Sequence, residues 1–442
     1  TFGQAHDIDD DGRFTIFLSN WLGRIGQGSQ AVDGFVRVAD LDEMYSTPFS
    51  NHCDMMYLSA SLEAGPHLRT IVAHEYTHAV IFSRKTLGYG RPGRGEVRIE
   101  EEGWLDEALA HLAEDLHGFS RSNLDYRVSA FLSRPESYRL VVDDYYSANL
   151  FRSHGNRGST YLFLRWCADQ YGPNLLPNLI SSDRTGLANL ESTTRSTFAD
   201  LYRRWTVSLA AMALGADVLE PQAGNRGYRT IELRGPVEDR FLAGPRLDRY
   251  RVGDGDMDWD STGTSSRFIV VEGAGTEAVE VAISAPSTAE LQVTSVPLPR
   301  DLPTIDLKTS TSYDVNGDLN LTILAEGHGA SAIQLSALAW EPRVPAADSR
   351  SSRLPSGRLD QSEILAHFGK SSLEEGQRLK SSVIKLAGVC RGSGPYILKL
   401  AGIDAAGHAV TAWADINLVG KTSWTLPGQK DVASMSSTSP QD

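Results

Sequence analysis

Cysteine is scarce in this chain, and acidic residues outnumber basic ones. Only three cysteines, Cys53, Cys167 and Cys390, occur among 442 residues, and they lie far apart. So sparse and odd a set provides no disulfide framework, and we expect small core residues at these positions. The formal net charge of −14 argues against a nucleic-acid partner, because phosphate binding needs a basic surface.

Long apolar runs are also missing. No stretch approaches the length that crosses a bilayer, so the sequence predicts no membrane span. The chain starts at Thr1 without a basic start and an apolar core, so the given sequence contains no signal peptide. Its hydrophobic fraction of 41% is ordinary, so a sizeable core can be buried.

The most informative feature present is a pair of histidines around a glutamate. His74, Glu75 and His78 form the pattern H-E-x-x-H within a mostly apolar stretch that suits a buried helix. Residues four apart share one helix face, so the two imidazoles can bind one metal ion. Two neutral imidazoles suit zinc, and the glutamate suits general-base work on a zinc-bound water. Taken alone, the pattern also fits two ordinary helical histidines beside a surface glutamate.

A second predicted helix, residues 104–116, offers further ligands. Glu107, His111 and Glu114 recur along one edge of it. A catalytic zinc needs three protein ligands and one open position, and Glu107 is the best third ligand because it begins a helix beside a tryptophan. His111 and Glu114 are either a solvated edge, or Glu114 binds the second nitrogen of a ligand histidine. The sequence leaves both interpretations open.

Together the two segments resemble the paired motifs of the gluzincin metalloproteases, H-E-x-x-H and W-L-N-E-G-x-A or N-E-A. Within that group, the first half of the chain most resembles the hyicolysin-type secreted neutral metalloproteases. The resemblance implies zinc ligands at His74, His78 and Glu107, a catalytic base at Glu75, and a secreted or cell-surface location. His111 departs from it, because thermolysin-like enzymes place an aspartate there to orient a zinc histidine.

The spacing excludes a second class of zinc protease. Ile81 and Arg84 occupy the positions at which a metzincin carries its glycine and third histidine, so no metzincin site is present. Residues 85–95, between the two motifs, are rich in glycine, proline and arginine. We expect a loop there, close to the cleft.

The fold expected from these patterns is α+β. A zincin (thermolysin-like) catalytic domain is predicted over residues 1–222, followed by all-β accessory domains over 223–345 and 346–442. Strands are expected at 13–18, 34–38 and 55–60, the last forming the edge of the cleft, and helices at 66–82, 104–116, 158–171 and 197–213. Later strands are expected at 267–272, 278–283, 289–294, 320–324, 379–388, 396–403 and 409–416. Residues 346–358 resemble a linker, and 434–442 a disordered tail.

Acidic loops suggest a second metal. Asp7, Asp9 and Asp11 begin like a calcium loop, but Leu18 at the twelfth position excludes an EF-hand. Residues 254–260 and 314–318 are also rich in aspartate. Such loops can bind Ca²⁺ or form ordinary turns, and the sequence leaves both open.

The predicted function is zinc-dependent hydrolysis of peptide bonds in protein or peptide substrates. The β domains would bind a cell surface or a polysaccharide, or stabilise the enzyme. The alternative is a non-catalytic, zinc-stabilised surface-binding protein or adhesin, against which the glutamate Glu75 argues because zinc binding does not need it. The group that stabilises the oxyanion stays open among four candidates: Tyr145, Tyr146, His154 and Tyr161.

Overall fold

A computed structural model describes residues 3–22, 32–88, 98–150, 153–214, 227–228, 230–237, 240–273, 279–298, 302–343, 355–390 and 394–416. These residues form both helices and sheets, which confirms the predicted α+β class. No helix within these ranges is long and apolar enough to cross a bilayer. The predicted boundaries near residues 222 and 345, and the tail 434–442, lie outside the described ranges.

A three-stranded sheet precedes the first helix. Its strands are β1 (Thr15–Ser19), β2 (Gly34–Val36) and β3 (Met55–Ser59), in the order β1-β3-β2. β1 runs parallel to β3 and β2 antiparallel to it. The prediction that residues 55–60 form the cleft edge is wrong, because β3 lies in the middle of this sheet and β2 is the edge strand that lines the cleft.

A layer of helices follows. The described helices are α1 (Pro66–Ile81), α2 (Gly103–His117), α3 (Asp125–Ser133), α4 (His154–Tyr171), α5 (Leu175–Ser181), α6 (Gly186–Thr194) and α7 (Phe198–Leu214). Pro66 occupies the first turn of α1, where its missing N–H costs little, and Gly118 in the left-handed region (φ 64°) ends α2. The helices enclose a core built around the fully buried Trp104, Trp166 and Trp205.

Two ion pairs bracket the segment between α1 and α2. α1 continues into a π-helical turn, Phe82–Thr86, where the buried Lys85 Nζ lies 2.7 Å from Glu101 Oε2. Arg98 pairs with Asp42, donating from Nη2 to Oδ1 at 3.0 Å. The predicted loop 85–95 therefore begins later than expected, and residues 89–95 lie outside the described ranges.

Short strands after the helices complete the helical core. They are β4 (Arg234–Val237), β5 (Arg240–Ala243), β6 (Asp248–Arg251) and β7 (Ile269–Glu272). Leu233, Leu242 and Phe268 from this region belong to the same apolar cluster as the helices. The described parts of the predicted strands 278–283 and 289–294 are not strands. They alternate apolar and polar residues, but no described strand pairs with them.

The remaining described strands form a sandwich. They are β8 (Thr304–Tyr313), β9 (Asp318–His328), β10 (Ile333–Pro342), β11 (Gly357–Asp360), β12 (Ser372–Leu373), β13 (Arg378–Lys380), β14 (Ile384–Cys390), β15 (Tyr396–Asp404) and β16 (Ala409–Ile416), with α8 (Gln361–Phe368) between β11 and β12. One sheet orders β11-β10-β15-β16 with β12 on β10, and the other orders β13-β9-β14 with β8 on β9. Both sheets take strands from either side of residue 345, so the two predicted β domains share one core.

A buried charged cluster joins the sandwich to the helical part. Ser129 of α3 donates from Oγ to Glu341 Oε1 of β10 at 2.7 Å, and Arg240 of β5 donates to Glu341 Oε2 at 3.2 Å. Lys399 of β15 completes the cluster with an ion pair to Glu341 and a hydrogen bond to the Phe241 carbonyl at 3.0 Å. Buried polar and charged side chains therefore connect the sandwich to α3.

Candidate metal centre

The two helices that carry the histidine and glutamate motifs pack side by side. His74 and Glu75 of α1 are 4% and 7% exposed, and Glu107 of α2 is 6% exposed. α1 is buried along most of its length, and α2 is buried from Gly103 to Leu105 and again from Glu107 to Glu114. The polar side chains of this site are therefore largely removed from bulk solvent.

Three donor atoms converge at this site. His78 Nε2 lies 3.2 Å from His74 Nε2, and His74 Nε2 lies 3.6 Å from Glu107 Oε2. One donor atom from each of the three residues lies within 4.8 Å of the others. Tetrahedral zinc with bonds of about 2.0–2.1 Å separates its ligand atoms by roughly 3.3–3.4 Å. The two measured separations are therefore close to those between the ligands of a zinc ion.

Each histidine turns its other ring nitrogen towards a carboxylate. His74 Nδ1 lies 2.7 Å from Glu114 Oε1, and His78 Nδ1 lies 2.8 Å from Asp106 Oδ2. Asn123 Nδ2 donates to both oxygens of Glu114, at 2.8 and 3.0 Å. Such carboxylate partners orient the imidazoles of metal sites and make them stronger ligands. Of the two interpretations left open for Glu114, the structure favours the carboxylate partner.

His111 is held away from the donor group. Its Nδ1 lies 2.8 Å from the Glu107 carbonyl, and its Nε2 accepts from Arg157 Nε at 3.1 Å. His74, His111 and Glu114 also form a compact donor set, but His74 Nδ1 and Glu114 already contact each other at hydrogen-bond distance. No space for an ion separates them, so this second set supports the first rather than competing with it.

Arg157 of α4 contacts the candidate ligands Glu107 and His74, and the sequence did not predict this role. Its Nη2 donates to Glu107 Oε2 at 3.0 Å and lies 3.5 Å from His74 Nε2. Burial works to raise the pKa of Glu107, but Arg157 and the two α1 histidines outweigh it and hold that pKa well below its usual range. Glu107 is therefore ionised, as a metal ligand must be.

The charges around His78 also bear on metal binding. Burial works to lower the pKa of His78, but Asp106 outweighs it and raises that pKa to about 10. A ligand histidine must lose its proton before it binds a metal. A metal ion at His78 Nε2 would therefore compete with a proton.

Glu75 stands over the open side of the site. Within the described residues its carboxylate has no hydrogen bond or ion pair, and burial raises its pKa. Gly34 of β2 lies directly against it, since a Cβ at that position would be 3.2 Å from Glu75 Cγ. The edge strand β2 therefore contacts the candidate base Glu75 at Gly34.

A cleft of about 530 Å³ opens over these residues. Residues of β2, α1, α2, α3 and the start of α4 line it. Of the four candidates for the oxyanion group, Tyr146 and His154 line this cleft. Tyr145 and Tyr161 do not, and the latter belongs to the helical core.

The N-terminal acidic loop forms a turn of its own. Asp7, Asp9 and Asp11 each offer an oxygen within 4.8 Å of the others. Asp7 already accepts from the backbone N–H of Asp11 and of Gly12, at 3.2 and 2.8 Å. Asp314 likewise accepts from its own loop and pairs with Lys385. Calcium binding at these loops stays a prediction.

The described cysteines carry no chemistry at the site. Cys53 and Cys167 are free thiols, and the latter is part of the helical core. This position agrees with the expectation of a small core residue for Cys167. The side chain of Cys390 lies outside the described part of the chain.

Comparisons with known proteins do not assign a family. No family model matches the chain, and no curated protein matches it. The solved structures that match include one described as the X-ray structure of Northeast Structural Genomics Consortium target SoR45. It is 12% identical, with a TM-score of 0.19, and the match covers 31% of this chain and 95% of that one. A similarity at this level supports no conclusion about fold or function.

Proposed function

We propose that the chain is a zinc-dependent endopeptidase of the gluzincin type, with a zincin-like first half. One observation carries the proposal: His74, His78 and Glu107 meet at the spacing of zinc ligands, and each histidine has its own carboxylate partner. A catalytic role rather than a structural one is supported by Glu75, which faces the open side without a partner among the described residues. A structural zinc has no need of such a group.

Each side chain of the candidate site has a separate role in the proposed hydrolysis. His74, His78 and Glu107 would hold a zinc ion, which would supply Lewis-acid polarisation of a substrate carbonyl and a lower pKa for a water. Glu75 accepts the proton of that water and then passes it to the leaving amine. Tyr146 and His154, both lining the cleft, are the candidates to donate a hydrogen bond to the developing oxyanion.

Substrate binding is assigned to the edge strand. β2 pairs with β3 on one side only among the described strands, and its residues line the cleft beside Glu75. An extended peptide can add to such an edge through backbone hydrogen bonds. This mode favours protein or peptide substrates in an extended conformation.

Metal analysis combined with proteolysis tests the proposal. The purified protein should contain about one zinc per chain, by analogy with three-ligand catalytic sites. It should digest casein or peptides, lose that activity with a chelator and regain it when zinc is restored. Zinc binding without any hydrolysis would instead favour the alternative, a zinc-stabilised surface-binding protein. A secreted or cell-surface location, and surface or polysaccharide binding by the sandwich, belong to the same proposal.

A further inference from the structure

One arginine in the cleft lacks an acidic partner. Arg127 of α3 lines the cleft and is only 6% exposed. One of its terminal nitrogens donates to the Asn123 carbonyl, its guanidinium lies 4.9 Å from the centre of the Tyr126 ring, and its Nε has no hydrogen-bond partner. No carboxylate among the described residues forms an ion pair with it.

Other buried arginines of the same helical part differ in this respect. Arg157 pairs with Glu107 at 3.0 Å, and Arg165 pairs with Asp169 at 2.6 Å. Burying a cation without a counter-charge is unfavourable, and proteins normally pair such groups. The exception lies in the cleft wall, where a ligand can supply the missing anion.

A second side chain beside Arg127 has unused hydrogen-bonding capacity. His154, at the first turn of α4, lines the same cleft and is 8% exposed. Both of its ring nitrogens are buried without a hydrogen-bond partner, and its ring meets the edge of Tyr126 at 4.8 Å. The positive end of the α4 dipole adds to the attraction for an anion. Burial, with Arg127 and Arg157 nearby, lowers the pKa of His154 to about 3, so this imidazole is neutral and has an unused N–H donor. Arg127 therefore supplies the positive charge and His154 a hydrogen-bond donor, and both contact the Tyr126 ring.

Three carboxylates that line the cleft are paired with other residues, and Glu75, which also lines it, forms no ion pair with Arg127. Asp106 contacts His78, Glu107 contacts Arg157, and Glu101 contacts Lys85 at 2.7 Å. None of them neutralises Arg127 by direct contact. A planar guanidinium is matched best by a planar carboxylate, which accepts two parallel hydrogen bonds.

We infer that Arg127, with His154 beside it, forms a subsite for a carboxylate group of the substrate, close to the scissile bond. This inference rests on the proposed peptidase function and specifies its substrate class. The carboxylate can come from an acidic side chain or from the free end of a peptide. Either source supplies the planar anion that the cleft wall lacks.

Paired peptides test the inference on the unmodified protein. Internally quenched peptides would carry Glu or Gln at each position around the scissile bond, and a second series would end in a free acid or an amide. The expected result is a carboxylate preference of about 10- to 100-fold in kcat/KM at one position, the size of a charge-assisted hydrogen bond. The two series distinguish the side chain from the chain end as the source.

Variants then assign the preference to the arginine. In Arg127→Gln, the ratio of kcat/KM for the carboxylate peptide to that for the amide peptide should fall to near one. Arg127→Lys keeps the charge but loses the planar pair of donors, so it should retain part of the preference. Arg121→Gln is the matched control, because Arg121 pairs with Asp115 and Asp125 at 2.8 and 2.9 Å and does not line the cleft. It should keep the full ratio.

These experiments distinguish failure of the carboxylate subsite from failure of the peptidase proposal. If the zinc-loaded protein cleaves peptides but shows no carboxylate preference at any position, the inference is overturned and the peptidase proposal stands. If it cleaves nothing, calorimetric binding of the same peptide pairs to the protein decides. A preference that Arg127→Gln removes would still support the subsite, whereas equal binding of both members of each pair would overturn it.

Discussion

Glu75 differs from the other carboxylates around the candidate metal site because no described residue binds it. Asp106, Glu107 and Glu114 each contact a histidine or an arginine. A general base needs a free carboxylate within reach of its water, whereas ligands and their supporting groups need fixed partners. The pattern of contacts therefore agrees with the different roles proposed for these four acidic residues.

Replacing Glu75 by glutamine should separate catalysis from metal binding. Glu75→Gln keeps the size and polarity of the side chain but cannot accept a proton. We expect zinc content and melting temperature to stay unchanged, while kcat falls on the order of 10²–10⁴-fold. Glu63→Gln, at an exposed position before α1, is the control and should behave like the unmodified protein. Undiminished hydrolysis by Glu75→Gln would contradict the mechanism.

Glu114 should matter for the metal rather than for the chemistry directly. Glu114→Gln weakens the carboxylate contact that orients His74. We expect zinc affinity to fall by about 10–100-fold, measured by competition with a coloured chelator. Asp106→Asn should act in the same direction through His78. If both variants bind zinc as tightly as the unmodified protein, the carboxylate partners have no orienting role.

At this scale the sequence predicted what helical spacing controls. His74, Glu75 and His78 lie within one turn, so their relative placement follows from helix geometry. Arg157 was not predicted, because it lies 50 residues from Glu107 in sequence and meets it only through the packing of α4 on α2. Asp106 was missed because its contact with His78 depends on how α2 is rotated against α1.

At the scale of elements, the close approach of β2 to α1 is the contact that shapes the cleft. A Cβ on Gly34 would lie 2.6 Å from Leu58 Cδ2 and 3.2 Å from Glu75 Cγ. Only glycine leaves room for the edge strand to lie this close to the candidate base. The absence of a side chain at Gly34 therefore allows β2 to lie along this side of the cleft.

Adding a methyl group at this position should disturb both stability and activity. Gly34→Ala is expected to destabilise the protein by about 1–3 kcal/mol, the usual effect of overpacking, and to lower kcat/KM by displacing β2 or Glu75. Gly65→Ala is the matched control, because a Cβ there meets nothing within 4 Å. Thermal unfolding and peptide hydrolysis measure the two effects. A Gly34→Ala protein with unchanged values for both would show that the strand can shift freely.

Helices were easier to predict than strands for a physical reason. The predicted helix 104–116 differs from α2 by one residue at each end, because its apolar repeat and Gly118 are local signals. A strand depends on a partner elsewhere in the chain. Val281, Leu291 and Val293 have the alternation of a strand but are 50%, 55% and 57% exposed, and no described strand pairs with them.

For the whole molecule, the boundary between the predicted catalytic domain and the predicted accessory domains is less sharp than composition suggested. Leu233, Leu242 and Phe268 follow residue 222 but fill the helical core. We therefore expect a fragment of residues 1–222 to expose apolar surface and aggregate. Light scattering and zinc content of the purified fragment, beside the full chain, test this. A soluble, active fragment would show that these strands only cover an already stable core.

The buried cluster around Glu341 should stabilise the junction with the sandwich only while it is complete. Lys399→Met leaves Glu341 buried without its closest cation and should cost about 3–5 kcal/mol. The double variant Lys399→Met with Glu341→Met removes the closest pair together and should regain part of that loss, although Arg240 loses its contact with Glu341. Denaturant unfolding followed by tryptophan fluorescence measures both. Equal stability of the single and double variants would contradict the pairing.

The two ion pairs that bracket the segment between α1 and α2 have a consequence for how the protein can change. Lys85 with Glu101, and Arg98 with Asp42, hold the flanks of residues 89–97 to the body of the protein independently of that stretch. We therefore expect the positions of α1 and α2, which carry the candidate metal ligands, not to depend on the length and composition of the sequence between them. Variants with insertions or deletions between residues 89 and 97 should accordingly bind zinc as the unmodified protein does, which their zinc content would measure.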